Sequence, residues 1–111
     1  MIEIEIQGFL DEHLSVPSFL EHPEKPPKRF VLFEKTGSGE RNHLPSSTFA
    51  FQSYGPSMYE AAKLNEEVKA AVKAMIEMDV ISQIKLNSDY NFTDTTTKEY
   101  RYQAVFDINH Y

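Results

Sequence analysis

Two periodicities compete along residues 2–14, IEIEIQGFLDEHL. Ile2, Ile4 and Ile6 alternate as in a strand, whereas Ile2, Ile6, Phe9, Leu10, His13 and Leu14 follow helical spacing over a longer stretch, so the segment reads as a helix. SVPSFLEHP follows as a short extended piece beginning near Val16, which Pro17 confines to an edge or a strand start. EHPEKPPKRF carries Pro23, Pro26 and Pro27. Each removes a backbone donor and fixes φ, giving a stiff, extended connector. RFVLFEK (29–35) and STFAFQSY (47–54) are strands, the second with Phe49 and Phe51 on one face, and the polar stretch TGSGERNHLP between them reads as a loop. GPSMYEAAKLNEEVKAAVKAMIEMD is the clearest helix. Ser57 and Glu60 have capping-box spacing, and Leu64, Val68, Ala71, Val72 and Met75 form one apolar stripe opposite Glu60, Lys63, Glu67 and Lys73.

The last third is a β-hairpin. Ile84, Leu86, Tyr90 and Phe92 alternate with Lys85, Asn87, Asp89 and Asn91. Tyr100, Tyr102, Ala104, Phe106 and Ile108 alternate with Arg101, Gln103, Asp107 and Asn109, and TDTTTK supplies the turn. Period two with one wet face marks antiparallel strands packed on one side. The order is helix, two or three strands, helix, two strands. It predicts a single α+β domain over residues 1–111: two layers, an antiparallel sheet of about four to five strands, and two helices packed on one face.

Composition narrows the function classes. Hydrophobic residues make up 41% and aromatics 13%, enough for a packed core. Cysteine is absent, which excludes disulfides, thiolate metal sites and cysteine nucleophiles and suits a reducing compartment. The net charge of −6 lacks the basic footprint of a nucleic-acid binder, so no nucleic-acid partner is expected. No run approaches the ~18 apolar residues of a membrane span, and the acidic start MIEIEIQGF lacks the cationic region of a signal peptide.

The stretch FEKTGSGERNH (33–43) poses the sharpest chemical question. A phosphate-binding loop needs a lysine after its last glycine and a helix at once. Here Gly37-Ser38-Gly39 is followed by Glu40 and then a strand, so charge and dipole are both wrong. The nucleophile-elbow pattern fails too, because the glycines flank Ser38 directly. The glycines are expected to supply left-handed turn geometry and flexibility. DYNFTDTTTKEY imitates a calcium loop at Asp89, Asn91 and Thr93, but Asp94 stands where glycine is needed and Tyr100 where glutamate is needed. His13, His22, His43 and His110 are scattered, and no carboxylate pair is singled out by spacing. No catalytic residue, metal site or cofactor is therefore expected.

The whole chain resembles the tail terminator, or tail completion, proteins of long-tailed bacteriophages and prophages of Gram-positive hosts. The resemblance lies in an ordered run: FLDEHLSVPSF; HPEKPPKRFVLFEKTGSG; STFAFQSYGPSMYEAAKLNEEVKAAV; and SDYNFTDTTTKEYRYQAVFDINHY. The P-x-R-F-V-L-x-E-K-T-G piece, the A-x-x-L-N-E-E-V helix and the Y-R-Y-Q-A-V-F-D-I strand weigh most, and none is a catalytic motif. The resemblance implies a non-enzymatic virion part that assembles in the host cytoplasm. It implies a hexameric ring of identical subunits that caps the tail tube, ends its polymerisation and offers the head-joining surface. The implied partners are further copies, the tail tube protein and a head-closure or connector protein. The alternatives are a head-closure component itself, or a ferredoxin-like small-molecule binding module, which would need a concave pocket.

No family contact transfers by motif, so candidate surfaces rest on physics. One is the loop from Thr36 to His43, with Thr36, Gly37, Ser38, Gly39, Glu40 and Arg41, which is polar and expected to be flexible. The other is the wet hairpin face with Asn87, Asn91, Arg101, Gln103 and Asn109.

Overall fold

A computed structural model describes residues 1–41 and 43–111, with the backbone alone at Arg41. Helix α1 (Ile2–His13) is followed by a two-residue strand β1 (Ser18–Phe19), then strands β2 (Phe30–Arg41) and β3 (Leu44–Gly55). Helix α2 (Met58–Ala74) runs into a single 3-10 turn (Met75–Glu77), and strands β4 (Ile81–Asn91) and β5 (Tyr100–His110) complete the chain. The five strands form one sheet in the order β1-β2-β3-β5-β4. Both helices lie on one face of it, the expected two-layer α+β arrangement.

The core fills the space between the layers. Phe33, Phe49, Phe51 and Phe106 from three neighbouring strands are completely buried with Val31, Ala104 and Ile108. Ile6 and Leu10 of α1 and Leu64, Val68 and Val72 of α2 cover them. Phe33 and Phe51 stack with centroids 5.6 Å apart, and Phe106 meets Phe51 edge-on at 5.9 Å. The apolar stripe along α2 is what the strand phenylalanines require as a partner, so helix and sheet patterns specify one interface.

Four local features depart from the sequence expectations. First, the sheet is mixed: β1 pairs parallel to β2, Ser18 opposite Val31 and Phe19 opposite Leu32. The connector between β1 and β2 supplies the length a parallel return needs. Second, Thr36–Arg41 is not a loop but the end of β2. Gly37 pairs with Thr48, Ser38 with Ser47, Gly39 with Ser46 and Glu40 with Pro45. Neither glycine takes a positive φ; His43 does, at 66°. The turn therefore lies beyond the glycines, and extended backbone suits them as it suits other residues. Asn42 lies outside the described residues.

Third, the alternation along β4 breaks. Leu86 pairs with Phe106, yet Ser88 pairs with Val105, so Asn87 is an extra residue in a β-bulge. The bulge moves Tyr90 to the helix-free face opposite Gln103 and turns Asp89, opposite Ala104, toward α2. Strict alternation had Tyr90 and Phe92 on the apolar face and Asp89 on the wet one. Fourth, Ser57 caps α2, its Oγ accepting from the Glu60 N–H at 3.1 Å, but the Glu60 carboxylate accepts from Arg29 Nε at 3.0 Å. That hydrogen bond holds the Glu60 carboxyl below its usual pKa.

Candidate assembly surfaces

The helix-free face of the sheet carries rungs of polar side chains that cross from strand to strand. At one end Arg101 lies over the rings of Tyr54 (5.7 Å) and Phe92 (4.7 Å), with Nε donating to the Phe92 carbonyl at 2.8 Å and Nη1 to the Tyr54 hydroxyl at 3.2 Å. In the next rung Gln52 Nε2 donates to Gln103 Oε1 at 2.9 Å, and Gln103 Nε2 donates to the Tyr90 hydroxyl. Tyr54 Oη donates to Gln52 Oε1 at 3.1 Å, which links the two rungs. Further along, Asp107 accepts from Thr48 Oγ1 at 2.9 Å and Asn87 Nδ2 at 3.2 Å. Asn109 Nδ2 donates to Gln83 Oε1 at 3.3 Å.

This network revises the expected wet face. Asn87, Arg101, Gln103 and Asn109 do share one face. Gln103 and Asn109, however, are 9% and 8% exposed, because their neighbours across the strands cover them. Asn91 does not join them: its Oδ1 accepts from the Thr93 N–H at 3.0 Å and caps the strand end. The residues that complete the rungs, Thr48, Gln52, Tyr54 and Tyr90, carry no signal in the sequence beyond polar or aromatic character. Only the cross-strand register brings them together. Side chains fixed in this way lose less freedom when a flat partner covers them.

The aromatic end of the face is extended by the proline-rich connector. Phe30 and Tyr54 stack at 4.3 Å, and the His22 ring meets both edge-on at 5.7 and 5.8 Å. His22 Nε2 lies 3.4 Å from Glu99 Oε2, which ties the connector to the turn between β4 and β5. That turn is organised by Asp94, whose Oδ1 accepts from the Thr96 N–H at 2.9 Å and the Thr97 N–H at 3.3 Å, keeping its carboxyl below the ordinary pKa. The residues that imitate a calcium loop are engaged elsewhere: Asp89 faces α2, Asn91 caps the strand, and Thr93 Oγ1 donates to the Arg101 carbonyl at 3.3 Å.

The second surface is the β2–β3 hairpin. Beyond Ser46, where β5 ends its pairing with β3, the two arms of the hairpin continue without a further strand among the described residues. Ser38, Gly39, Glu40 and His43 are exposed there, and Glu40 Oε1 lies 3.9 Å from His43 Nδ1. Thr36 is the extra residue of a second bulge, with its Oγ1 donating to the Thr48 carbonyl at 3.3 Å. The Arg41 side chain lies outside the described atoms. A Cβ on Gly37 would come no closer than 3.9 Å to Thr48, and one on Gly39 would meet nothing within 4 Å. The domain measures 43 × 24 × 23 Å.

On the helix side, an open groove of about 220 Å³ runs between α2 and the segment after α1. Four of its polar lining residues are paired with one another, Ser15 donating to Glu67 at 2.8–3.0 Å and Arg29 bonding Glu60, while Lys63 also lines it. A small-molecule module would instead need polar groups converging on the space between them. No helix among the described residues is long and apolar enough to cross a membrane. No protein-family model and no curated protein sequence matches the chain.

Proposed function

We propose that this protein is a structural assembly part of a long-tailed phage or prophage. Copies of it form a ring, six in number by the tail terminator resemblance, that caps the tail tube and stops its growth. The outer side of the ring joins the head through a connector protein. The reading rests first on the sequence likeness over the whole chain. The observation in the fold that carries it is the pairing of a pre-ordered, hydrogen-bonded sheet face with a projecting polar hairpin. Assembly needs a rigid surface and a protrusion that reaches a neighbour, and the domain offers both.

The acidic net charge of −6 suits a ring through which DNA passes, because the wall repels the phosphates. No step in this role calls for a nucleophile, a metal or a cofactor.

The test is tube growth. Tail tube protein of the same phage polymerises in the presence and absence of the purified chain, and tube lengths are measured by electron microscopy. The expected result is short tubes bearing density at one end. A variant with Glu40–Pro45 replaced by a two-residue Asn-Gly turn should fold normally and lose the capping. Unchanged tube lengths at saturating intact chain would overturn the reading.

A further inference from the structure

Gly8 sits in the middle of α1 without an internal reason. Its φ is not positive, and a Cβ built there would meet nothing within 4 Å. Glycine is the poorest helix former after proline, so the open space at this position is a cost that the fold itself does not recover. The space belongs to a cleft of about 320 Å³ between α1 and Met78, lined on the helix side by Ile4, Glu5, Gly8, Phe9 and Glu12. Ile4 is 64% exposed. Both charged residues of the lining are carboxylates. Two helical turns apart, Glu5 and Glu12 lie on one side of α1 with about 10.5 Å between them along its axis, and Gly8 lies between them.

The proline-rich connector carries the complementary pattern. Lys25-Pro26-Pro27-Lys28 is exposed throughout, and the chain turns at residues 24–25 and 28–29 but runs straight through the two prolines. Each proline fixes its own φ and keeps the residue before it extended, so one polyproline turn sets the two lysines about 9 Å apart and on the same side. Arg29 beside them is taken by Glu60. Lysines one polyproline turn apart therefore match carboxylates two helical turns apart. The proline pair then comes over Gly8, against Ile4, Phe9 and Met78. Proline-rich segments bind apolar grooves in this way, and little order is lost because the segment is stiff beforehand.

Connector and cleft lie at opposite ends of one copy. His22 holds the connector against Phe30 and Tyr54 and beside Glu99, at the end of the sheet where β5 begins. Met78 precedes β4, whose first residue Ile81 pairs with His110, where β5 ends. The length of β5 puts roughly 30 Å between these ends. The occupant of the cleft is then a neighbour's connector; a neighbour's α1 would bring carboxylates to carboxylates.

We propose that the Lys25-Pro26-Pro27-Lys28 run of one copy seats in the α1 cleft of the next, the two lysines facing Glu5 and Glu12 and the prolines packing over Gly8. The contact joins two different patches, which is the kind that closes into a ring when the rotation permits. Each contact is small, so the closed ring is stable where an open pair is not. This inference rests on the ring-forming reading above and supplies its subunit contact.

The test exchanges the charges. One full-length chain carries Glu5→Lys and Glu12→Lys, another Lys25→Glu and Lys28→Glu, and a third Gly8→Leu, which fills the cleft. Circular dichroism and thermal melts confirm that each folds, Gly8→Leu melting at or above wild type. Assembly is followed by light scattering and electron microscopy, alone and with tail tubes. Each variant alone should assemble at least tenfold more weakly than wild type. An equimolar mixture of the two charge variants should assemble again, because each connector then meets a cleft of opposite charge. Rings from Gly8→Leu or from either charge variant as readily as from wild type would overturn the cleft contact and leave the ring reading standing. A mixture that stays monomeric while wild type forms rings would do the same. A mixture and a wild type that both grow into open chains without closing would keep the cleft contact and overturn the ring. Wild type that never assembles, with or without tubes, would overturn both.

Discussion

Asp89 decides whether the bulge in β4 is real, because its two possible faces carry different energies. In the structure Asp89 Oδ1 accepts from Asn65 Nδ2 at 2.7 Å and Oδ2 from Lys69 Nζ at 2.5 Å. The Lys69 and Asp89 side chains retain 18% and 27% of their exposure. Burial pushes the Asp89 carboxyl upward, but the bonds from Lys69 and Asn65 outweigh it and leave the pKa below its ordinary value. The same bond, aided by Glu66, raises the Lys69 pKa. Fully exposed pairs contribute about 0–1 kcal/mol, and breaking a fully buried one costs about 3–5 kcal/mol. This rim position falls between, so Asp89→Asn should cost about 1–2 kcal/mol at pH 7. For a domain of this size that is a fall of roughly 4–8 °C in melting temperature.

The pH dependence follows from the sign of each shift. A depressed carboxyl stabilises fully above its unfolded pKa of about 4, and the contribution is lost as pH falls through the folded value. A raised lysine stabilises fully below about 10.4 and loses its contribution as pH rises beyond. The gap between wild type and Asp89→Asn should therefore be flat from about pH 5 to 9 and close near pH 2. Urea titrations across that range, with Lys69→Met completing a double-mutant cycle, measure it. If Asp89→Asn matched wild type at pH 7, Asp89 would lie on the wet face and the bulge would be wrong. A gap unchanged down to pH 2 would show that its charge is irrelevant.

Other perturbations probe the remaining departures. Gly39→Ala should be neutral or stabilise by up to about 1 kcal/mol in urea melts, since its backbone is ordinary strand with open space around it. Gly55→Ala should destabilise by about 1–3 kcal/mol in the same melts, because a Cβ there would lie 2.7 Å from the Ala61 nitrogen at the start of α2. Gln103→Ala should cost about 1–3 kcal/mol by leaving Gln52 and the Tyr90 hydroxyl short of partners, where a solvated side chain would cost nothing measurable. Ser57→Ala should lower helical stability by about 1 kcal/mol through loss of the cap, read by thermal circular dichroism.

The elements whose period runs unbroken were readable directly. The stripe from Leu64 to Met75 and the alternation from Ala104 to Ile108 each bury the residues their spacing selects. Ile2–His13 was resolved as a helix by its longer period, and Ile6 and Leu10 are indeed the fully buried positions. What escaped depends on the partner strand. A bulge is a property of two strands in register, so Asn87 cannot announce itself in its own sequence, and Asp89, Tyr90 and Asn91 after it in β4 were placed on the wrong face. Thr36–Arg41 looked like a loop because its residues are small and polar, yet pairing with Leu44–Thr48 supplies the backbone bonds that composition does not. The candidate surfaces were half legible for the same reason. Arg101, Gln103 and Asn109 follow from alternation, but the partners that bind them sit on other strands and made them covered rather than free.

Light scattering behind size exclusion, at several concentrations and with assembled tail tubes added, tests the ring most directly. Electron microscopy of the largest species completes it. The account predicts a closed six-membered ring, formed alone at high concentration or on the tube end. A monomer at every concentration, with tubes left uncapped, would contradict it.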